Sequence, residues 1–361
     1  MAHIQSLDIK NFRCFDHLSL TFETPIVLIK GENGTGKTAL LEALYFLCYL
    51  RSFKTYAPRE LIRFNQDGFF IRTHFIFENT ETDLIELQVG VTQQKKLIKL
   101  NNKPAKTFND LLSCLRVVSL TENDLQIIQG SPEARRSFID NYIFLQEPTF
   151  SQEMRTYRAT LNQRNALLQR KMLDNDLYKI LTKKLWTLSD RIQRLRTDYL
   201  KNLETEIQLI QSESFSEHSI DLAYFCKRPL KENFESFYHF YTTLQIEEIK
   251  YQRSLFGIHL DDLSIQFRKK SARVYASRGQ QKLIALFLKI AQIKGLIKKE
   301  GLSILLLDDF MTDFDEERIK QVLPLLLSLK CLLFFTCAQK KSFLEEELNK
   351  YGAQIVILER K

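Results

Sequence analysis

Apolar and polar residues alternate through "HIQSLDIKNF" and "LSLTF", and "PIVLIK" follows as a short apolar run. A two-residue period marks strands with one buried face, and a short continuous run marks a strand buried on both. A glycine-rich stretch then opens an apolar helical pattern, "GENGTGKTALLEALYFLCYL". Alternation returns between residues 69 and 101 in "FFIRTHFIF", "LIELQVGV" and "KKLIKLN", which predicts an antiparallel β-subdomain. "CLRVVSL" adds another buried strand.

From about residue 132 to 212 the period lengthens. Leu177, Leu181, Leu185, Leu188, Ile192, Leu195, Tyr199, Leu203 and Ile207 recur every three or four residues. This is a long amphipathic helix with a narrow apolar seam, too short for an extended coiled-coil arm. It is expected to pair with the segment 152–171 as an antiparallel hairpin. The aromatic-rich stretch 213–250 has no assignable period. Beyond it "LSIQF" reads as a strand, followed by helix 280–297, strand 303–307, helix 315–329, strand 331–336, helix 340–350 and strand 353–358. Helices alternating with buried strands imply an α/β fold with a mainly parallel sheet. The division predicted is 1–125, 126–250 and 251–361.

The stretch "GENGTGKT" at 31–38 fits G-x-x-x-x-G-K-[ST] between a strand and a helix. Gly31, Gly34 and Gly36 let backbone N–H groups of the loop, including Glu32, Asn33 and Thr35, wrap a phosphate. The helix start adds its positive dipole end. Lys37 reaches the β- and γ-phosphates, and the Thr38 hydroxyl is placed for Mg²⁺. The run "SILLLDDFMTDFD" puts Asp308 and Asp309 at the carboxyl end of a buried strand, where ligands of open α/β sheets bind. Asp308 is expected to hold Mg²⁺ and Asp309 to polarise the attacking water.

Charge sharpens the picture. The chain of 361 residues carries a net +8, and the segment 151–201 holds twelve Lys and Arg against five Asp and Glu. Such a segment suits a polyanion such as nucleic acid, and equally a solvated helix face. No apolar run reaches the ~18 residues of a membrane span, since "VLPLLLSLKCLLFF" is split by Lys330. The N-terminus lacks a secretory pattern. A soluble, cytoplasmic chain without a membrane partner is therefore expected. The six cysteines include no CxxC pair and read as reduced thiols.

Together these motifs resemble the ABC-type ATPase heads of the SMC/RecF family. The resemblance is closest to the RecF branch, in "RSFKT", "TENDLQIIQGSPEARRSFIDNYI", "LNQRNALL", "GIHLDDLSIQF", "SRGQQKLIALFLKIAQ" and "LLLDDFMTDFD". It runs in order over nearly the whole chain. It implies an ABC-type P-loop ATPase head, with mixed sheet and antiparallel β-subdomain, in two parts (1–125 and 251–361) around an inserted helical subdomain (126–250). It also implies a homodimer sandwiching two ATP molecules. Ser277, Arg278, Gly279 and Gln280 match the signature that grips the γ-phosphate on the opposite subunit. Thr312, Asp313 and Asp315 match the D-loop at the dimer contact, and Thr336 matches the switch position beside the γ-phosphate.

The resemblance further implies a positive DNA cleft beside the head. Arg155, Arg158, Arg164, Lys183, Lys184, Arg191 and Arg194 are the expected backbone contacts to duplex or gapped DNA, without sequence preference. RecO and RecR are the implied partners, in loading a recombinase at gaps. Three departures stand out. Ile258 and Leu260 flank His259 where the family has Pro and Arg, and the D-loop has Thr and Asp for Ser and Glu. Asp309 replaces the Glu of many ABC ATPases, so slow hydrolysis is expected. His259 is expected to be structural. A detached transporter ATPase subunit and a nucleotide-gated clamp without enzymatic output remain alternatives.

Overall fold

The computed structural model describes residues 3–55, 57–76, 84–105, 108–170, 174–215, 217, 219–228, 233–299, 301–310, 314–338 and 343–360. The chain forms two compact units, one of Met1–Asp124 with Arg278–Lys361 and one of Leu125–Ser277. Among the described residues, no helix is long and apolar enough to cross a membrane.

The first unit begins with β1 (His3–Phe12), β2 (Phe15–Thr21), β3 (Ile26–Lys30) and α1 (Lys37–Tyr49). β4 (Gly68–Ile76), β5 (Leu84–Thr92), β6 (Lys96–Leu100) and β7 (Lys103–Pro104) follow, then α2 (Phe108–Cys114) and β8 (Leu115–Leu120). The alternating strands form an antiparallel sheet in the order β2-β1-β4-β5-β6-β7. Their inward positions, Leu7, Ile9, Ile71, Phe75, Leu87 and Val89, are fully buried.

The second unit contains α3 (Gln126–Gln129), α4 (Pro132–Gln146), α5 (Phe150–Leu168) and α6 (Asn175–Ser214). α6 has 40 residues, a rod of about 60 Å. Arg164 of α5 bonds Tyr178 and Thr182 near the start of α6, while Glu153 pairs with Arg191 further along. This is the expected antiparallel hairpin. The stretch without a readable period folds as β9 (Ile220–Phe225) and α7 (Phe234–Tyr251). β10 (Asp262–Phe267), β11 (Lys270–Ser271) and α8 (Ala272–Tyr275) complete the unit.

The expected boundary at 250 is corrected to Ser277. β10 pairs antiparallel with β9, with Leu263 opposite Tyr224, so "LSIQF" belongs to the helical unit and not to the returning head. That pairing ties the segment after α7 to the same unit as α5 and α6.

The first unit resumes with α9 (Arg278–Ile297), β12 (Leu302–Leu307), α10 (Glu316–Leu327), β13 (Leu332–Cys337), α11 (Phe343–Asn349) and β14 (Gln354–Ile357). The second sheet runs β14-β3-β13-β12-β8, every pairing parallel. β8, β12 and β13 are buried at all positions, because helices cover both faces of a parallel sheet. This order sets β13 between the glycine-loop strand β3 and the acidic strand β12.

The helical unit buries several ion pairs in its core. Arg164 is fully buried and bonds Glu248 at 2.5 Å, the Tyr241 hydroxyl at 2.6 Å and the Ser254 hydroxyl at 2.6 Å. Arg196 makes a paired contact with Asp140 at 2.8 and 2.9 Å. His259 Nδ1 lies 2.7 Å from the Tyr157 hydroxyl, and burial lowers its pKa to about 4, so it is a neutral structural group. Deleting one partner of such a pair leaves a buried charge uncompensated. Arg164→Ala is therefore expected to destabilise the chain by ~3–5 kcal/mol, against less than ~0.5 kcal/mol for exposed Arg155→Ala. Denaturant unfolding checks this, and equal midpoints for the two variants would contradict it.

Candidate nucleotide-binding site

β3 ends at Lys30 and the loop 31–36 leads into α1. Gly36 caps α1 with φ 100°, and no side chain bonds the first turn. A Cβ on Gly36 would fall 2.6 Å from both Cys14 Sγ and the Phe15 ring. One on Gly31 would fall 2.6 Å from the Leu358 carbonyl. Both positions therefore need glycine, and the uncapped N–H groups of α1 point to an anion. Lys37 Nζ donates to the carbonyls of Gly31 at 2.8 Å and Glu32 at 3.0 Å, which holds the ammonium over its own loop. Thr35 closes the turn by donating to the Glu32 carbonyl at 3.0 Å.

At the end of β12, Asp308 accepts the Thr38 hydroxyl at 3.1 Å and the Thr336 hydroxyl at 2.9 Å. Thr336 in turn accepts the Asp309 N–H at 2.7 Å. Burial pushes the Asp308 carboxyl above the ordinary carboxylate range and neighbouring Asp309 adds to this, while the bonds from Thr336 and Thr38 oppose it. The Thr38 hydroxyl and Asp308 carboxylate are hard oxygen donors side by side. They fit Mg²⁺, which is commonly held by one or two protein oxygens, with phosphate oxygens and water completing the shell. Mg²⁺ there would neutralise charge between the β- and γ-phosphates.

Thr336, matched to the switch position, is fully buried at the end of β13, and its hydroxyl is engaged by both acidic residues. It positions Asp308 and Asp309 by donating to one and accepting from the other. Asp309 has φ 45°, a left-handed conformation that Asp tolerates, and its residue lines the cleft. That cleft, about 630 Å³, is lined by Asn33, Gly34, Gly36, Lys37, Thr38 and Asp309, and also by Arg13, Glu42, Lys54, Thr55 and Glu60.

Of this second group, Lys54 and Thr55 fall within "RSFKT", while Arg13, Glu42 and Glu60 were not singled out by any motif. Arg13 makes a paired contact with Glu42 at 2.7 and 2.8 Å. One signal was available: Glu42 is a lone acid inside the apolar run "ALLEALYF", and a buried charge requires a partner. Lys54 lies in "RSFKT" and acts electrostatically on Asp308.

The signature residues open α9. Ser277 and Arg278 are exposed, and Gly279 and Gln280 half-buried. Arg278 bonds Glu122 of its own chain at 2.9 Å. Of the D-loop residues, Thr312 and Asp313 lie outside the described residues, and exposed Asp315 caps α10 by accepting the Arg318 N–H at 2.7 Å.

The predicted DNA contacts divide. Arg155, Arg158, Lys183, Lys184, Arg191 and Arg194 are exposed. Arg191 pairs with Glu153 and Arg194 with Asp190, and Lys183 lies over the Phe234 ring. Arg164 is corrected: enclosed by Glu248, Tyr178, Tyr241 and Ser254, it cannot reach a DNA phosphate.

A glycine loop, two carboxylates on the next strand but one, and an exposed serine two residues before a glycine at a helix start define an ABC-type ATPase head. Residues 3–356 match the RecF/RecN/SMC N terminal domain. The DNA replication and repair protein RecF of Clostridioides difficile is 30% identical over 363 residues, covering 97% of this chain and 96% of that protein. RecF of Oceanobacillus iheyensis is 32% identical over 336 residues, covering 89% of each. The chain belongs to the RecF family of DNA replication and repair proteins.

Solved structures agree. The recombination mediator protein RecF with ATP, in the RecFOR pathway, superposes with a TM-score of 0.82 at 27% identity, over 94% of this chain and 93% of that one. An Smc head domain from Pyrococcus furiosus shares the fold at a TM-score of 0.54 and 16% identity, over 94% of this chain and 90% of that one.

The carboxylate placement yields a test. Asp308→Asn is expected to remove the strengthening of ATP binding by Mg²⁺ and to leave metal-free ATP affinity within about threefold, a change under ~1 kcal/mol. Calorimetric titration with and without Mg²⁺ reads this directly. An unchanged Mg²⁺ effect would place the metal elsewhere.

Proposed function

We propose that this chain is an ATP-dependent DNA-binding switch of recombinational repair and replication restart. Lys37 and the loop 31–36 hold the phosphates of ATP, and Thr38 and Asp308 would hold Mg²⁺, which would neutralise phosphate charge. Two copies close face to face, so that Ser277 and Gly279 of each grip the γ-phosphate held by the other. Asp309 orients the attacking water, and slow hydrolysis to ADP and phosphate releases the closed dimer. Binding carries the work, because contacts made only in the closed state shift the equilibrium toward it.

The observation that carries this reading is the bond sequence from Thr38 through Asp308 and Thr336 to the Asp309 N–H. It links the Asp308 carboxylate and the Asp309 backbone to one phosphate loop, which supports metal binding by the first and water orientation by the second. The ATP-bound RecF structure of similar fold supports ATP as the nucleotide. Its description within the RecFOR pathway supports RecO and RecR as partners in loading recombinase at gapped DNA.

DNA contact is assigned to the helical unit. Lys184, Arg191 and Arg194 follow one stripe of α6, and Arg191 reaches Glu153, so the stripe runs along α5, the helix carrying Arg155 and Arg158. Such contacts address the phosphate backbone and weaken steeply with salt. DNA-stimulated hydrolysis separates this reading from a transporter subunit.

Reversing Arg155, Arg158, Lys184 and Arg191 to Glu is expected to weaken binding to gapped duplex at least tenfold. The slope of log affinity against log salt should fall by about 1 per lost phosphate contact. ATP affinity should be unchanged. Wild-type DNA binding by this variant would remove the helical unit from the DNA site.

A further inference from the structure

The peptide group of Asp309 is held from both ends, and only one of the holders has a role so far. Its N–H is fixed by Thr336 of β13 at 2.7 Å. Its carbonyl accepts a bond from Lys282 Nζ of α9 at 3.3 Å. Lys282 is 8% exposed, and its ammonium lies 5.3 Å from the centre of the Phe314 ring, beyond Asp309 in sequence. A buried ammonium needs charges, dipoles or π-faces in place of water, and the Asp309 carbonyl and the Phe314 ring are two of the groups that meet it. Between the two holders, Asp309 keeps the left-handed φ of 45° with which it lines the cleft.

α9 is also the helix that the signature opens. Gly279 lies three residues, about one turn, before Lys282. Further along, Lys289 of α9 pairs with Asp124 at 2.7 Å, and Arg278 pairs with Glu122. The helix is thus anchored twice to the short segment after β8, and through Lys282 to the residue after β12.

We infer that Lys282 is a positioning residue for hydrolysis. It holds the Asp309 peptide of its own chain from the same helix whose first turn grips the partner's ATP. Engagement of α9 with the partner's γ-phosphate then sets the aim of Asp309 in the subunit that supplies α9. Each subunit's hydrolysis is gated by the other subunit's nucleotide, and Lys282 is the link. The inference rests on the proposed ATP-closed dimer.

Steady-state hydrolysis of wild type, Lys282→Met and Lys282→Arg tests it, with light scattering in ATP alongside. Lys282→Met should lower kcat about 10- to 100-fold, the scale of a ~1 Å misplacement of a catalytic group. KM should stay within about twofold and ATP-dependent dimerisation should persist, since neither nucleotide grip nor interface is altered. Lys282→Arg should recover most of the rate. If Lys282→Met does not fold, Lys282→Gln, without charge or reach, carries the same comparison.

Mixed dimers locate the effect. With an Asp309→Asn partner, the deficit should appear when Lys282→Met shares a subunit with the intact Asp309. An unchanged kcat, a joint loss of kcat and dimerisation, or a deficit that follows the other subunit each overturns the inference. A wild-type chain that stays monomeric in ATP instead strikes the proposed function. The kcat of that monomer still tests the hold on Asp309, because Lys282, Thr336 and Asp309 belong to one chain.

Discussion

One buried hydroxyl organises the nucleotide site. Thr336 donates to Asp308 and accepts the Asp309 N–H, and Asp308 in turn accepts the Thr38 hydroxyl at the head of α1. This works only because β13 lies between β3 and β12 in parallel register, with Thr336 opposite Ile29 and Phe335 opposite Leu307. A slip of one residue in β13 would turn Thr336 to the other face of the sheet. The hydrophobic burial of β8, β12 and β13 therefore does more than stabilise the fold. It sets the register that places two carboxylates against the phosphate loop, and a buried carboxylate without those hydroxyls would lack hydrogen-bond partners.

The helical unit solves a different problem. Its core takes in Arg164 and Arg196, each closed off by carboxylates and hydroxyls, while other basic residues stay at the surface of α5 and α6. Burial of an ion pair is weak evidence for stability, because desolvation offsets much of the attraction. Its main effect is to separate arginines by role. Those facing the core brace helices against one another, and those on the outer stripes stay exposed at the surface.

Much of this was legible in the sequence, for local reasons. A phosphate loop is a contiguous stretch with fixed glycine spacing, and "ILLLDD" announces both a buried strand and what stands at its end. The αβ alternation near the C-terminus told of a parallel sheet. What escaped was what depends on distant partners. The boundary at Ser277 follows from β10 pairing with β9, and β9 lies in a stretch without a period. Arg164 counted as surface charge, although it falls on the stripe of α5 that carries Tyr157, Thr160 and Leu167. That helical spacing was the available signal for burial. Thr336 matched a family position beside a phosphate, but its burial comes from the strands on either side, which no stretch around it reveals.

The proposed switch depends on ATP closing two copies of this chain even when hydrolysis is blocked. Light scattering of Asp309→Asn with ATP, with ADP and without nucleotide tests that most directly. The predicted result is a dimer of twice the 42.6 kDa chain mass with ATP alone. A monomer under all three conditions, or a dimer indifferent to nucleotide, would contradict it.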